Sequence, residues 1–116
     1  MKDVNGEITY KGKTFKLVFN LNVMEQIQDE YGSVDKWGEL TDGRAGEPSA
    51  KAVIFGMACM INESIDIDNE DLPEDQKTQP LTLKQVGRLI TEVGLLNATK
   101  TMNETVIGST ESAEKN

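Results

Sequence analysis

The apolar run in the middle of the chain constrains the fold more than any other segment. Residues 50–62 read AKAVIFGMACMIN, and their apolar side chains cover most of the circumference of a helix. A helix that is apolar on nearly all sides lies inside a core. The run is far shorter than the roughly 20 apolar residues needed to cross a bilayer. We therefore expect a central buried helix with the other elements packed around it.

Alternation of apolar and polar residues over residues 4–21 predicts an N-terminal β-hairpin. The apolar face consists of Ile8, Tyr10, Phe15, Leu17, Phe19 and Leu21. A two-residue loop at Lys11-Gly12 or a four-residue loop keeps these side chains on one face. A three-residue loop would place Ile8 opposite Lys16. Two strands alone are marginal in water, so the hairpin must pack on helices or gain a strand from another chain.

Helix signals follow the hairpin directly. Asn22 is predicted to be the N-cap of a first helix, with Glu25 three residues later in a capping box. Gly32 is predicted to end that helix as its C-cap. Ser33 begins a second short helix, and the turn-rich stretch at residues 41–49 predicts a loop.

An acidic segment follows the central helix. Residues 63–80 are predicted to form an exposed loop, with seven acidic residues and no basic residue between Glu63 and Asp75. An EF-hand calcium loop does not fit, because Asp71 stands where that motif needs Gly and Lys77 where it needs Glu.

Two more helices are predicted after the acidic segment. Thr82 and Gln85 form a capping box at the start of the first, and Gly94 ends or kinks it. The fold class is therefore α+β and mostly α, with the hairpin packed on four to five helices around the central apolar helix. Residues 1–107 are predicted to be one globular domain, divided into hairpin (4–21) and helical part (22–107).

The remaining residues, 108–116, are predicted to be a disordered tail, because they are polar and terminal.

Charge narrows the range of partners. The 116 residues carry a net charge of −8, which disfavours nucleic acid and anionic membrane surfaces as partners. It favours solubility or a basic partner. No apolar leader is visible at the N-terminus, so we expect a cytoplasmic location.

Residues typical of catalysis are scarce. The chain has no His and a single Cys, Cys59, which lies in the apolar run and suits a buried position. It contains no nucleophile elbow, phosphate loop, dinucleotide motif or paired-Cys metal site. We therefore expect a binding or assembly protein without enzyme activity, cofactor or metal.

The order of these segments resembles a known family. The chain runs from ITYKGKTFKLVFNLN through VMEQIQDEYGSVDKWGEL and KAVIFGMACMIN to PLTLKQVGRLITEVG. Over residues 5–95 this resembles the tail assembly chaperones of long-tailed bacteriophages and prophages of Gram-positive hosts. The likeness is one of pattern and order and includes no catalytic motif.

The resemblance implies a function and a location. Such chaperones bind the tape measure protein, a long helical chain, and keep it soluble in the bacterial cytoplasm until tail-tube subunits polymerise around it. They are absent from the mature virion. The resemblance therefore implies the tape measure protein as partner, with tail-tube subunits and further copies of this chain as additional candidates.

A chaperone for a helical client needs exposed apolar side chains. Met24, Ile27, Trp37 and Met102 are the candidates for this contact, and packing in the core is the alternative for each. Two other functions stay open. One is a structural virion component, such as a tail or head–tail connector subunit, and the other is a small acidic regulator that binds a basic protein.

Overall fold

Two strands followed by five α-helices make up the described part of the chain. A computed structural model describes the backbone of residues 6–114 and the side chains of residues 6–109. The elements are β1 (Gly6–Tyr10), β2 (Lys13–Leu17), α1 (Leu21–Tyr31), α2 (Val34–Thr41), α3 (Ala50–Asn69), a 3-10 turn (Glu74–Gln76), α4 (Leu83–Val93) and α5 (Leu95–Glu114). This architecture confirms the predicted α+β, mostly α class. Residues 4 and 5 of the predicted hairpin lie outside the described residues.

The hairpin closes through a two-residue turn. Tyr10 pairs with Lys13, and Ile8 pairs with Phe15. Lys11 has a φ of 53° and Gly12 a φ of 76°, as a type I′ turn requires. Of the two loop lengths that the sequence allowed, the shorter one therefore forms. It brings Ile8 and Phe15 together on the buried face.

Helix α1 begins two residues earlier than predicted. The Asn20 side chain accepts a hydrogen bond from the Val23 backbone N–H at 3.2 Å and is the N-cap. The prediction of Asn22 as N-cap is therefore wrong. So is the placement of Leu21 on the apolar strand face, because Leu21 is 77% exposed in the first turn of α1. Phe19 is the last residue of that face to be buried.

The central position of α3 is confirmed. It contacts β2 and each of the other four helices. Half of its 20 residues are buried. Gly56 lies directly beneath the Trp37 indole, whose N–H donates to the Ala52 carbonyl at 3.0 Å. The close approach of α2 to α3 therefore depends on a residue without a side chain.

Helix α3 continues beyond its predicted end. Residues 63–69 are helical, so the prediction that the loop begins at Glu63 is wrong. Ile61 and Ile65 are both buried and lie four residues apart on one helical face, so core packing extends the helix into acidic sequence. Asn69 near its end exchanges two 2.9 Å hydrogen bonds with the Thr78 backbone, which orders the loop that follows.

The last two helices close the fold. Thr82 and Gln85 form the predicted capping box, and Gly94 ends α4 with a φ of 96°. Helix α5 packs against β1, where the Gly6 N–H donates to the Thr105 hydroxyl at 3.0 Å. Its backbone is helical to Glu114, so residues 108–114 of the predicted tail are helical, and residues 115 and 116 lie outside the described residues.

Within residues 6–114, none of the helices combines the length and apolar character needed to cross a lipid bilayer.

Candidate functional site

Three of the four predicted contact residues are part of the core. Ile27 and Met102 are 0% exposed and Trp37 is 1% exposed. The expectation that these side chains are exposed is wrong, because each lies on the inward face of its own helix. Met24 is partly buried and also packs against the core. The four residues are spread over α1, α2 and α5, and they do not form a common surface.

A large concave surface lies instead between α3 and α4, where a groove is bordered by α1. Its volume is about 840 Å³. The lining residues are Glu30, Lys51, Ile54, Phe55, Leu83, Lys84, Gly87, Arg88 and Thr91. We call this feature the α3/α4 groove.

Apolar groups form the floor of the α3/α4 groove. Ile54 and Phe55 are only partly buried, and Leu83 is 57% exposed. The Phe55 ring is held edge-to-face against Tyr31, with 5.7 Å between ring centroids. The hydroxyl of Thr91 already donates to the Gly87 carbonyl at 2.9 Å. The groove therefore offers apolar contact area with few free hydrogen-bonding groups on its floor.

The α4 wall is a second face of an amphipathic helix. Lys84, Gly87, Arg88 and Thr91 recur at helical spacing, beside the stripe that α4 buries in the core. A Cβ atom placed on Gly87 would lie 3.5 Å from Cδ1 of Ile54, which is ordinary van der Waals contact. Gly87 thus leaves the floor open at a position where a larger side chain would fill it.

Charged residues line the rim. Lys51, Lys84 and Arg88 contribute three cations, and Glu30 contributes one anion. None of these four forms a salt bridge within the described side chains. Excess positive charge around the groove contrasts with the net charge of −8 of the whole chain.

The basic character continues beyond Arg88. A smaller adjoining cavity of about 310 Å³ is lined by Arg88, Lys11 and Lys13 together with Tyr10, Phe15, Leu81 and Gln85. The Lys11 ammonium lies 5.4 Å from the centre of the Tyr10 ring. The groove and this cavity share Arg88, and basic side chains line both.

The caps of α4 could not predict the groove, because a capping box locates the start of a helix and not the face that stays exposed. Leu83 is apolar and follows the N-cap directly, yet it is exposed. The available signal was the second series on α4, in which Gly87 lies between Lys84 and Arg88. A small residue between two cations at helical spacing is compatible with a helix face that is not covered by other parts of the fold.

Cys59 does not have the character of a nucleophile. Burial raises the pKa of its thiol from 9.0 to about 11. The thiol therefore stays protonated near neutral pH, and its S–H donates to Oε1 of Gln26 at 3.2 Å.

Tyr31, whose ring contacts Phe55, has a hydroxyl that is buried without a hydrogen-bond partner among the described residues. Its pKa is raised, first by desolvation and then by the nearby Glu30 and Cys59.

Among the described residues, no three Asp, Glu, Cys or His side chains are grouped so that they could hold a metal ion.

Comparison of the chain with protein-family models, with curated proteins and with solved structures found no match.

Proposed function

We propose that this protein is a chaperone that binds a helical segment of another polypeptide in the α3/α4 groove. The client we infer is the tape measure protein of a long-tailed phage or prophage, bound in the bacterial cytoplasm during tail assembly. The single observation that carries the proposal is the open apolar floor formed by Ile54, Phe55 and Leu83. The choice of client rests on the sequence resemblance.

The shape of the groove favours a polypeptide. Its volume of about 840 Å³ is within the range of roughly 300–1,000 Å³ that small-ligand pockets also have. Such pockets have a few fixed polar groups that orient the ligand, whereas the polar groups here stand on long side chains at the rim. An apolar trough between two helices instead suits the apolar face of a third helix.

Binding in this groove would cover the apolar stripe of a client that is otherwise prone to aggregate. The net charge of −8 would keep several copies soluble while they bind one long client. Release as tail-tube subunits assemble would leave the chaperone out of the mature virion. Tail-tube subunits are therefore a second candidate partner, and self-association of the chain is a further one.

Co-expression with the longest helical protein encoded nearby tests the proposal. We expect the client to be soluble and to co-purify with the wild-type chain. Gly87→Leu fills the floor of the groove and should lower the soluble client at least several-fold. Glu92→Leu adds the same side chain to an exposed site of α4 outside the groove and should behave as wild type.

Two results would contradict the proposal. A client that stays insoluble with the wild-type chain would reject the chaperone function. Equal rescue by Gly87→Leu and wild type, with circular dichroism showing both folded, would show that the groove is not the binding site.

The acidic segment supports a second candidate function, a regulator that binds a basic protein. Of the seven acids between Glu63 and Asp75, only Glu74 forms a salt bridge within the described side chains, with Lys77. This function predicts binding that falls steeply with salt, whereas an apolar contact in the groove tolerates salt. The same pull-down at about 0.1 M and about 1 M salt separates the two, since the Debye length falls from about 10 Å to about 3 Å.

A structural role in the virion is a separate alternative. Mass spectrometry of purified particles tests it, because a chaperone is expected to be missing from them.

A further inference from the structure

We propose that the basic rim makes the α3/α4 groove selective for client helices whose apolar stripe is flanked by acidic side chains. This inference rests on the proposed function, because it names the chemistry of the segment bound at the same site. Its basis is the charge of the rim and the positions of the cations.

The rim cations are distinguished by their grouping around one groove, since cations without an acidic partner also occur elsewhere on the described surface. Arg44 is paired with Asp42 at 2.8 Å and with Asp35 at 3.4 Å, and Lys77 with Glu74 at 3.4 Å. Lys51, Lys84 and Arg88 surround the groove without an acidic partner among the described side chains. Acidic residues outnumber basic ones in the chain by 20 to 12, so three cations that line one groove are a local exception to the charge of the chain.

The cations stand on both of the helices that form the groove. Lys84 and Arg88 are four residues apart on α4, which corresponds to about 6 Å along the helix axis. Lys51 stands on α3, across the groove. A bound helix with acidic residues four positions apart would therefore meet Lys84 and Arg88 in register. Lys51 would contact an acidic residue on its other flank.

Glu30 gives the groove a direction. It is the one acidic lining residue and belongs to the last turns of α1. A basic side chain on the client is favoured near Glu30 and acidic side chains near α4. The pattern of charges would thus determine the orientation of the bound helix as well as which helices bind.

The rim charges mainly affect which helix binds and contribute less to the overall affinity. Exposed ion pairs are individually weak, because water and salt screen them. An acid-flanked helix nevertheless forms three favourable pairs where a base-flanked helix with the same apolar stripe has three repulsive ones. This difference changes the preference between the two helices. We expect a difference of about tenfold in Kd between acid-flanked and base-flanked helices, which equals about 1.4 kcal/mol.

Two designed helical peptides test this inference. Both carry the same leucine stripe, one flanked by Glu and the other by Lys, and binding is followed by fluorescence anisotropy of a label on the peptide. The wild-type chain should bind the Glu-flanked peptide about tenfold more tightly at about 0.05 M salt. The difference should shrink as salt rises, because the rim is exposed.

Charge reversal provides the matched control. The triple variant Lys51→Glu, Lys84→Glu and Arg88→Glu should reverse the preference. A second triple, Lys16→Glu, Lys36→Glu and Lys100→Glu, changes the net charge equally at exposed positions outside the groove. It should keep the preference for the Glu-flanked peptide.

With the peptides, the inference is overturned by no binding of either one, by equal binding of both, or by tighter binding of the Lys-flanked peptide to the wild-type chain. Self-association of the wild-type chain that the groove triple alone abolishes would also overturn it. That result would assign the groove to the acidic segment of a second copy.

If the groove triple rescues the client as well as wild type does, the inference fails and the proposed function stands. If wild type rescues no client, the proposed function itself fails.

Discussion

At the scale of single residues, two glycines inside helices show how the same residue serves opposite purposes. Gly56 is buried in α3 under the Trp37 ring, and a Cβ there would lie 2.8 Å from Cε2 and 2.9 Å from Nε1 of the indole. Gly87 in α4 faces the groove, and a Cβ there would have Cδ1 of Ile54 as its nearest neighbour, 3.5 Å away. The sequence alone cannot distinguish them, because both interrupt a helical pattern. Only the positions of Trp37 and Ile54 in the fold distinguish the two glycines.

These contacts predict opposite effects of one substitution. Gly56→Ala should lower the free energy of unfolding by about 1–3 kcal/mol, because the new methyl group overpacks against the buried indole. Gly87→Ala should raise it by about 0.5–1 kcal/mol, because alanine is the better helix former and its Cβ has room. Urea unfolding of both variants beside wild type measures the difference. A change of the same sign in both would contradict the packing described for Trp37.

At the scale of elements, helix starts were predictable where one capping residue was available. Ser33 and Thr82 cap α2 and α4 as predicted. At α1 the sequence offers Asn at positions 20 and 22, and the local rule fits both. Both amides donate to Glu63 of α3, Asn20 at 2.8 Å and Asn22 at 3.0 Å, but only the Asn20 oxygen also caps the helix.

The two asparagines are therefore expected to differ in importance. Asn20→Ala removes the N-cap and the contact with Glu63, and it should destabilise the protein by about 1–2 kcal/mol. Asn22→Ala removes only an exposed 3.0 Å hydrogen bond to Glu63 and should cost less than about 0.5 kcal/mol. Thermal or urea unfolding of the two variants provides the comparison. Equal losses would indicate that capping at Asn20 contributes little.

At the scale of the whole molecule, the first and last elements are joined. Helix α5 packs on β1, and its Ala98 and Met102 are fully buried. A Cβ on Gly6 would lie 2.9 Å from the Thr101 side chain, so the strand and the helix are in close contact. The segment after Gly94 is rich in Thr and Asn, which are poor helix formers, so packing on the hairpin and core stabilises it as a helix.

Truncation tests how far the core extends along α5. Removing residues 95–116 should prevent stable folding, because losing a buried Met alone costs about 2–5 kcal/mol against a typical total of about 5–15 kcal/mol. Removing residues 110–116 should change stability by less than about 0.5 kcal/mol, because the last described buried side chain is Thr105. Circular dichroism and urea unfolding of both truncated chains measure this. A folded chain lacking residues 95–116 would show that α5 is not part of the core.

The sequence by itself determined the hairpin, the central apolar helix and the capped start of α4, because alternation, helical periodicity and capping are local patterns. It limited the turn of the hairpin to two lengths. Only the tertiary structure decided which turn forms, where α1 begins, that α3 continues to Asn69, and that Ile27, Trp37 and Met102 are buried. It also decided that Leu83 and Gly87 face an open groove. An apolar pattern shows that a side chain needs a partner, and only the packing of distant segments determines whether the fold itself supplies that partner.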